Sequence, residues 1–382
     1  MSDSKLVQGQ EQRVIVDERG MLDVPYLVLT LLLVAIGLVM LFSASYASAI
    51  NDGLAPTYYF VRQGGFAVVG VIVMLLVSRV NYQAWRFLAF WVLGGAVLLL
   101  IAVAIPGIGV SHNGAQRWIR LGVEFQPSEF AKLGVVLTFA ATMSVYRDKM
   151  KTFRYGVLPF AAILVVIAVL LYLEPHMSAT VIILMVGAIM MFLGGTRLRW
   201  FAFGALGAGL LVVVYLSTKG YASDRIMAWK NPFDYARDEG YQIVQSLYAV
   251  GSGGLFGLGF GRSRQKYLYL PEPENDYLFA IVCEELGLIG ALLVLLLFVM
   301  LIVRGYWIAM HARDRFGAML VSGLTTLLAL QVFFNIGVVT NFLPATGISL
   351  PFFSYGGTAL VLQLAEMGIV LSVSRWNTEQ LI

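Results

Sequence analysis

Ten times along this chain of 382 residues an apolar run reaches the length a helix needs to cross a hydrocarbon core, about 20 residues. The runs fall at roughly 24–46, 59–78, 85–105, 128–146, 156–173, 177–195, 199–217, 277–303, 316–339 and 357–375. Inside a bilayer every backbone N–H and C=O must be paired within the protein, so runs of this length fold as helices. Proline placement agrees. Pro25 and Pro159 lie in first helical turns, where the missing N–H costs nothing. Pro56, Pro106, Pro127, Pro175, Pro232, Pro271, Pro273, Pro344 and Pro351 occupy the connections. Composition removes the alternatives. Hydrophobic residues are 59% and charged residues 13%, where soluble domains carry about 25% charge, and a disordered chain holds far fewer apolar residues. The fold class expected is an all-α integral membrane protein of about ten transmembrane helices.

Lys and Arg in the short loops set the orientation. Arg79, Arg86, Arg147, Lys149, Lys151, Arg154, Arg197, Arg199, Arg304, Arg313 and Arg315 fall in one set of connections, and only Arg117 and Arg120 in the alternate short ones. The first set is cytoplasmic, so both termini are expected inside: a polar tail at 1–22, a membrane domain at 23–376 and a short tail at 377–382. Residues 1–22 are of mixed charge and precede a run long enough to stay in the bilayer, so no cleavable signal is expected. The net charge of +4 is scattered, which is no nucleic-acid signature. Cys283 is the single cysteine, which excludes an intrachain disulfide and a cysteine metal site.

Residues 218–276, between the seventh and eighth spans, form the large extracellular loop. At about sixty residues it is far longer than an ordinary connection. Its Tyr, Phe, Leu and Gly content argues for order. Ile243, Leu247 and Val250 recur at helical spacing, which predicts a short amphipathic helix at 240–250 on the membrane surface.

Charged groups inside apolar spans usually mark function, and here they are Arg62, Glu129, Lys132, Glu284, Glu285 and Glu366. Glu129 and Lys132, three apart, share a helix face and either neutralise each other or bind an anionic headgroup. Glu284, Glu285 and Glu366 read first as helix contacts. The glycine cluster 251–261 has neither phosphate-loop spacing, and lies outside the cell, so it serves as permissive backbone. Arg262, Arg264 and Lys266 follow it, and either hold a pyrophosphate or form a solvated basic patch. Asp276 opens the eighth span where water gives way to hydrocarbon. Partial desolvation there suits a general base, and a helix N-cap is the structural alternative. His112, His176 and His311 are far apart and lack ligand spacing, so no zinc site is expected.

Several stretches resemble one family. Asn113-Gly-Ala-Gln-Arg-Trp-Ile-Arg-Leu-Gly and Gln126-Pro-Ser-Glu-Phe-Ala-Lys132 are similar to the segment after the third span of the SEDS proteins, the shape, elongation, division and sporulation proteins typified by FtsW, RodA and SpoVE. Trp229-Lys-Asn-Pro-Phe233, Gly240-Tyr-Gln-Ile-Val-Gln-Ser246, Gly251-Ser-Gly-Gly254 and Tyr269-Leu-Pro-Glu272 with Asp276 resemble the family's large loop, and Leu343 to Gly357 its last outer loop. The resemblance implies a peptidoglycan glycosyltransferase of the bacterial cytoplasmic membrane. Such an enzyme polymerises lipid II into β-1,4 glycan strands and works with a class B penicillin-binding protein among other divisome membrane proteins. It places the essential aspartate on Asp276 and a functional lysine on Lys132. Substrate binding then falls to Lys132, Glu129, Arg117, Trp118, Arg262, Arg264, Lys266, Gln245, Ser246 and Glu272. No cofactor is certain, with a divalent cation, Mg or Mn, as a candidate.

The chemistry asks for the same groups. Displacing pyrophosphate from an α-linked sugar to give a β-linkage needs a base on the acceptor hydroxyl and stabilisation of the leaving charge. Two positions depart from the family pattern: His176 stands where many members carry Asp, and Thr346 where some division-type members carry Lys. The polar start of about 22 residues favours the division branch and septal synthesis. The competing readings are a lipid II flippase, relying on charges deep in the spans, and a scaffold that recruits the penicillin-binding protein.

Overall fold

The computed structural model describes residues 20–105, 107–112, 115–174, 176–207, 227–238 and 240–376. Among these, nine helices are long and apolar enough to cross a membrane. They are built on α1 (Val24–Asn51), α2 (Tyr58–Val77), α3 (Gln83–Ala104), α4 (Pro127–Val145), α5 (Phe153–Gly156) continued by α6 (Leu158–Leu173), α7 (Met177–Gly194), α9 (Leu278–Met310), α10 (Arg315–Val339) and α11 (Gly357–Ser374). Pro25 and Pro159 open α1 and α6 as expected, and Pro127 opens α4. The seventh expected span, 199–217, is described only to residue 207, where 198–207 are helical, and the rest lies outside the described residues. The two expected tails at 1–22 and 377–382 fall almost wholly outside them as well.

The helices sort by how much lipid they face. About 72% of the spanning windows of α4 and α10 is buried, and 67% of that of α11, whereas α2 and α3 bury only 22%. The central helices are also the less apolar ones, because a buried helix meets side chains that accept its Thr, Gln and Asn while a peripheral one meets hydrocarbon. Thr138 of α4 donates to the Ala89 carbonyl at 3.1 Å, a bond between spans of this kind.

Side-chain bonds divide the connections between two ends of the bundle. At one end Asp23 holds Arg304, Tyr82 donates to Asp314, and Arg315 donates to the Gly194 carbonyl. At the other, Ser48 donates to Glu274, Trp229 to the Asn341 carbonyl, and Thr358 to the Glu124 carbonyl. The first end carries the cationic connections and the second the long loop. The sequence leaves 106–127 as a plain connection; the structure instead folds it into a small antiparallel meander, β1 (Gly109–His112), β2 (Ala115–Leu121) and β3 (Val123–Phe125), at the second end.

The expected amphipathic helix is present as α8 (Tyr241–Ser252), but it is not laid out on a surface. It buries Ile243, Val244, Ser246 and Ala249 and packs against α9 and α10, so its apolar face is a docking face.

The sharpest departure from a simple bundle is in α9, which breaks at Gly287 with φ 68° and ψ −171°, a backbone only glycine adopts freely. The break frees backbone groups at membrane depth, and the glycine-rich segment 254–259 pairs with them. Leu258 and Gly259 N–H donate to the Glu284 and Glu285 carbonyls at 2.9 and 3.0 Å, and Leu288 and Ile289 N–H donate to the Gly254 and Leu255 carbonyls at 2.9 and 3.2 Å. Irregular backbone is tolerated in a membrane only when so covered.

Candidate functional site

The segment before α9 is fixed by four anchors. Glu274 accepts from Ser48 of α1 at 2.9 Å through its carboxylate and from the Tyr355 N–H at 2.8 Å through its carbonyl. Gln242 of α8 donates to the Pro271 carbonyl at 3.3 Å. Asn335 of α10 donates to the Asp276 carbonyl at 2.7 Å. The carboxylate of Asp276 is left half-buried and makes no cap: α9 begins at Leu278, its N-cap position is Tyr277, and no side-chain cap bond forms. The capping alternative therefore has no bond to rest on.

Burial pushes the Asp276 carboxyl up to about 6, the neighbouring Glu272 charge adds to this, and the Arg117 guanidinium opposes it. Gly347, at φ +70°, faces the same carboxylate, and a Cβ there would lie 3.2 Å from Asp276 Oδ2. Asp276, Glu272, Arg117 and the 343–356 loop thus meet at one place.

Arg117 also reaches the connection between α6 and α7. Its charge opposes the burial that pushes Glu174 up to about 8, and joins Lys132 in holding His176 down at about 3, where burial is the main cause. His176 is therefore neutral, and its Nε2 lies 3.3 Å from the Gln126 amide. With the amide donating, the ring proton sits on Nδ1. Glu174 is buried and neither carboxylate oxygen has a hydrogen-bond partner.

The next layer inward is Lys132, buried at 5% exposure and paired with Glu129 at 2.7 Å, so the expected local pairing forms. Glu366 of α11 is buried at the same level of the fold and feels both charges. Below them Lys132, Val135, Ile183, Val186 and Leu327 line a narrow crevice between α4, α7 and α10. Trp118, half-buried in β2, sits beside Arg117 in sequence and on the opposite face of the strand.

Other candidates are used differently. Lys266 is buried at 2% and its Nζ donates to Glu285 at 3.0 Å, Ser43 at 3.0 Å and the Gly261 carbonyl at 2.8 Å. All three ammonium hydrogens are spent, so it is a structural cation and not a pyrophosphate ligand. Ser246 is buried and gives its one hydroxyl hydrogen to the Val339 carbonyl at 2.8 Å. Arg262 and Arg264 are exposed, and Gln245 is half-buried on α8. Among the described residues no three His, Cys, Asp or Glu side chains converge on one point. Asn335 and Gly347 were not singled out by residue type. An asparagine buried in the last turns of a span is the signal that marks the first; nothing short of the folded loop marks the second.

The sequence model of the cell cycle protein family of FtsW, RodA and SpoVE matches residues 24–379. Stage V sporulation protein E of Bacillus subtilis is 41% identical over 357 residues, 93% of this chain and 97% of its own. A Geobacter sulfurreducens protein named "Probable peptidoglycan glycosyltransferase FtsW" is 39% identical over 92% of this chain and 95% of its own. Among solved structures, a chain of a peptidoglycan synthase complex that coordinates polymerization and crosslinking superposes with a TM-score of 0.78 at 27% identity, covering 93% of this chain and 98% of that one. Rod shape determining protein RodA of Thermus thermophilus superposes with a TM-score of 0.69 at 26% identity, over 94% and 98%.

Proposed function

Because the chain belongs to the cell cycle protein family of FtsW, RodA and SpoVE, we propose that it is a multi-pass peptidoglycan glycosyltransferase of the cytoplasmic membrane that polymerises lipid II with Asp276 as general base. One observation supports the base most: a carboxylate at the mouth of a span, uncapped and held half-buried, with its pKa lifted to about 6. A base poised near working pH is what proton abstraction from a sugar hydroxyl requires.

In the reaction Asp276 takes the proton of the acceptor 4-hydroxyl. The hydroxyl oxygen forms its bond to the donor anomeric carbon as the bond from that carbon to the pyrophosphate oxygen breaks, with inversion. Arg117, already within electrostatic reach of Asp276, is placed to steady the departing charge. The exposed Arg262 and Arg264 are candidates to guide the headgroup. Lys132 and Glu129 keep the substrate-binding role carried by the resemblance, at the head of the crevice below. The glycan strands need a crosslinking partner, and a class B penicillin-binding protein among the division proteins is the one this reading names. Septal synthesis is the role of this reading, with sporulation as its neighbour.

The test is strand synthesis from purified lipid II, with the class B partner co-purified. Wild type is expected to form polymer. Asp276→Ala and Asp276→Asn, still inserted and monodisperse, are expected to lose about 10²- to 10⁴-fold in rate, the usual worth of a general base. Full activity in both variants would leave the enzyme and discard the base. A wild type that makes no strand but moves lipid II across vesicles would favour the flippase reading, which draws on charged groups in the spans such as Arg62, Lys132 and Glu366.

A further inference from the structure

Asn335 lies in α10 one turn before the helix ends at Val339 and is 1% exposed. Its Nδ2 donates to two carbonyls at once, Asp276 at 2.7 Å and Ile348 at 2.7 Å. Its Oδ1 has no hydrogen-bond partner. A flipped amide would set that oxygen against both carbonyl oxygens, so the orientation is fixed by the two acceptors. The bonded carbonyls belong to different loops. One is the backbone of Asp276 itself; the other belongs to the residue after Gly347, whose missing side chain leaves room beside Asp276 Oδ2.

We propose that Asn335 is a positioning residue for glycan polymerisation: it clamps the 271–277 segment to the 343–356 loop and so fixes the Asp276 carboxylate against the Gly347 turn, where the acceptor hydroxyl is received. This rests on Asp276 being the base. A single side-chain nitrogen with two hydrogens is what the geometry asks for, and no isosteric residue supplies it. Asp cannot donate when ionised, and Leu cannot donate at all. The other anchors of the segment, Ser48 and the Tyr355 N–H on Glu274, do not involve Asn335. Losing the clamp therefore frees the carboxylate while the loop stays attached. The charged groups facing Asp276 are Glu272 on its own segment and Arg117 on β2.

The experiment compares wild type, Asn335→Leu, Asn335→Asp and Asp276→Asn as full chains with the co-purified class B partner, measuring lipid II polymerisation across pH. For both Asn335 variants kcat is expected to fall about 10- to 100-fold, the penalty of displacing a reacting group by about 1 Å. KM should stay within about twofold, because substrate contacts are intact. In Asn335→Leu the acidic limb of the profile should move to lower pH, since a carboxylate released toward water returns to its usual range, whereas the like charge of Asn335→Asp opposes that movement. A well-folded variant with wild-type kcat and an unmoved acidic limb overturns the proposal. So does loss of the monodisperse fold in both variants, which would make Asn335 a folding residue. An Asp276→Asn protein as active as wild type overturns instead the reading on which this one rests, whatever Asn335 does.

Discussion

At the scale of single residues the main tension is that the site is built at the expense of stability. Asp276 is raised from 3.8 to about 6 by burial and by Glu272. A carboxyl whose folded pKa is raised binds more protons folded than unfolded between those values, so stability falls as pH rises from about 4 to about 6 and stays reduced above. The ceiling on the loss is about 3 kcal/mol, diminished by the part of the side chain that water reaches. Asp276→Asn is therefore expected to raise the thermal midpoint at pH 7 to 8 and to leave it unchanged near pH 4, while polymerisation at neutral pH drops about 10²- to 10⁴-fold. Wild-type polymerisation should fall below about pH 6 as the base is protonated. Midpoints that respond equally at both pH values would mean the carboxylate is not held in a desolvating site. The place of Asp276 at a span boundary was legible in the sequence, where it left a base and a helix cap both open; the clamp on its backbone was not legible, because the partner lies 59 positions away in another span.

At the scale of elements the nine spans among the described residues agree with the expected bounds within a few residues, with two exceptions that share a cause. α1 runs on to Asn51 and α9 to Met310, beyond the expected ends at 46 and 303, because hydropathy marks where hydrocarbon ends and not where helical hydrogen bonding does. The break in α9 was illegible for a related reason: Gly287 lies within what hydropathy reads as one continuous span, and only docking of the 254–259 segment gives the broken backbone its partners. The same docking explains the buried charges. Glu284 accepts from the Arg264 N–H at 3.0 Å and from Ser263, while Glu285 pairs with Lys266 at 3.0 Å and accepts from Ser43 at 2.7 Å. Lys266→Met leaves Glu285 buried without its cation and is expected to destabilise the protein by about 3 to 5 kcal/mol. The double change Lys266→Met with Glu285→Leu should recover most of that loss, since an apolar pair of similar volume replaces a buried ion pair at little net cost. Thermal unfolding followed by size-exclusion chromatography reads both. A Lys266→Met protein as stable as wild type would mean that the pair is dispensable and that Lys266 is available for substrate after all.

At the scale of the whole molecule, the function depends on which end of the bundle faces out. The chemistry needs Asp276 on the side where lipid II is polymerised, and the bonding pattern sets Asp276 at the end opposite Asp23, Gly194 and Arg304. The cationic loops gather at the latter end, which the charge rule places in the cytoplasm. That the cationic connections share one end was legible in the sequence from a count of Lys and Arg, whereas the shape of the opposite end, a β-meander, α8 and two clamped loops, was not, since none of it has the period of a span. The single native thiol makes the orientation measurable: Cys283 is 7% exposed and should not react. Cysteines introduced at Val123 and Phe342, exposed at 42% and 68%, test the outer end; those at Val80 and Met310, exposed at 44% and 75%, test the inner end. A membrane-impermeant maleimide applied to intact protoplasts is expected to label Val123→Cys and Phe342→Cys at once, and Val80→Cys and Met310→Cys only after lysis. Labelling in the reverse order would put Asp276 in the cytoplasm. There the polymer could not be delivered to the wall, and Asp276 would have to act on something other than a growing glycan strand.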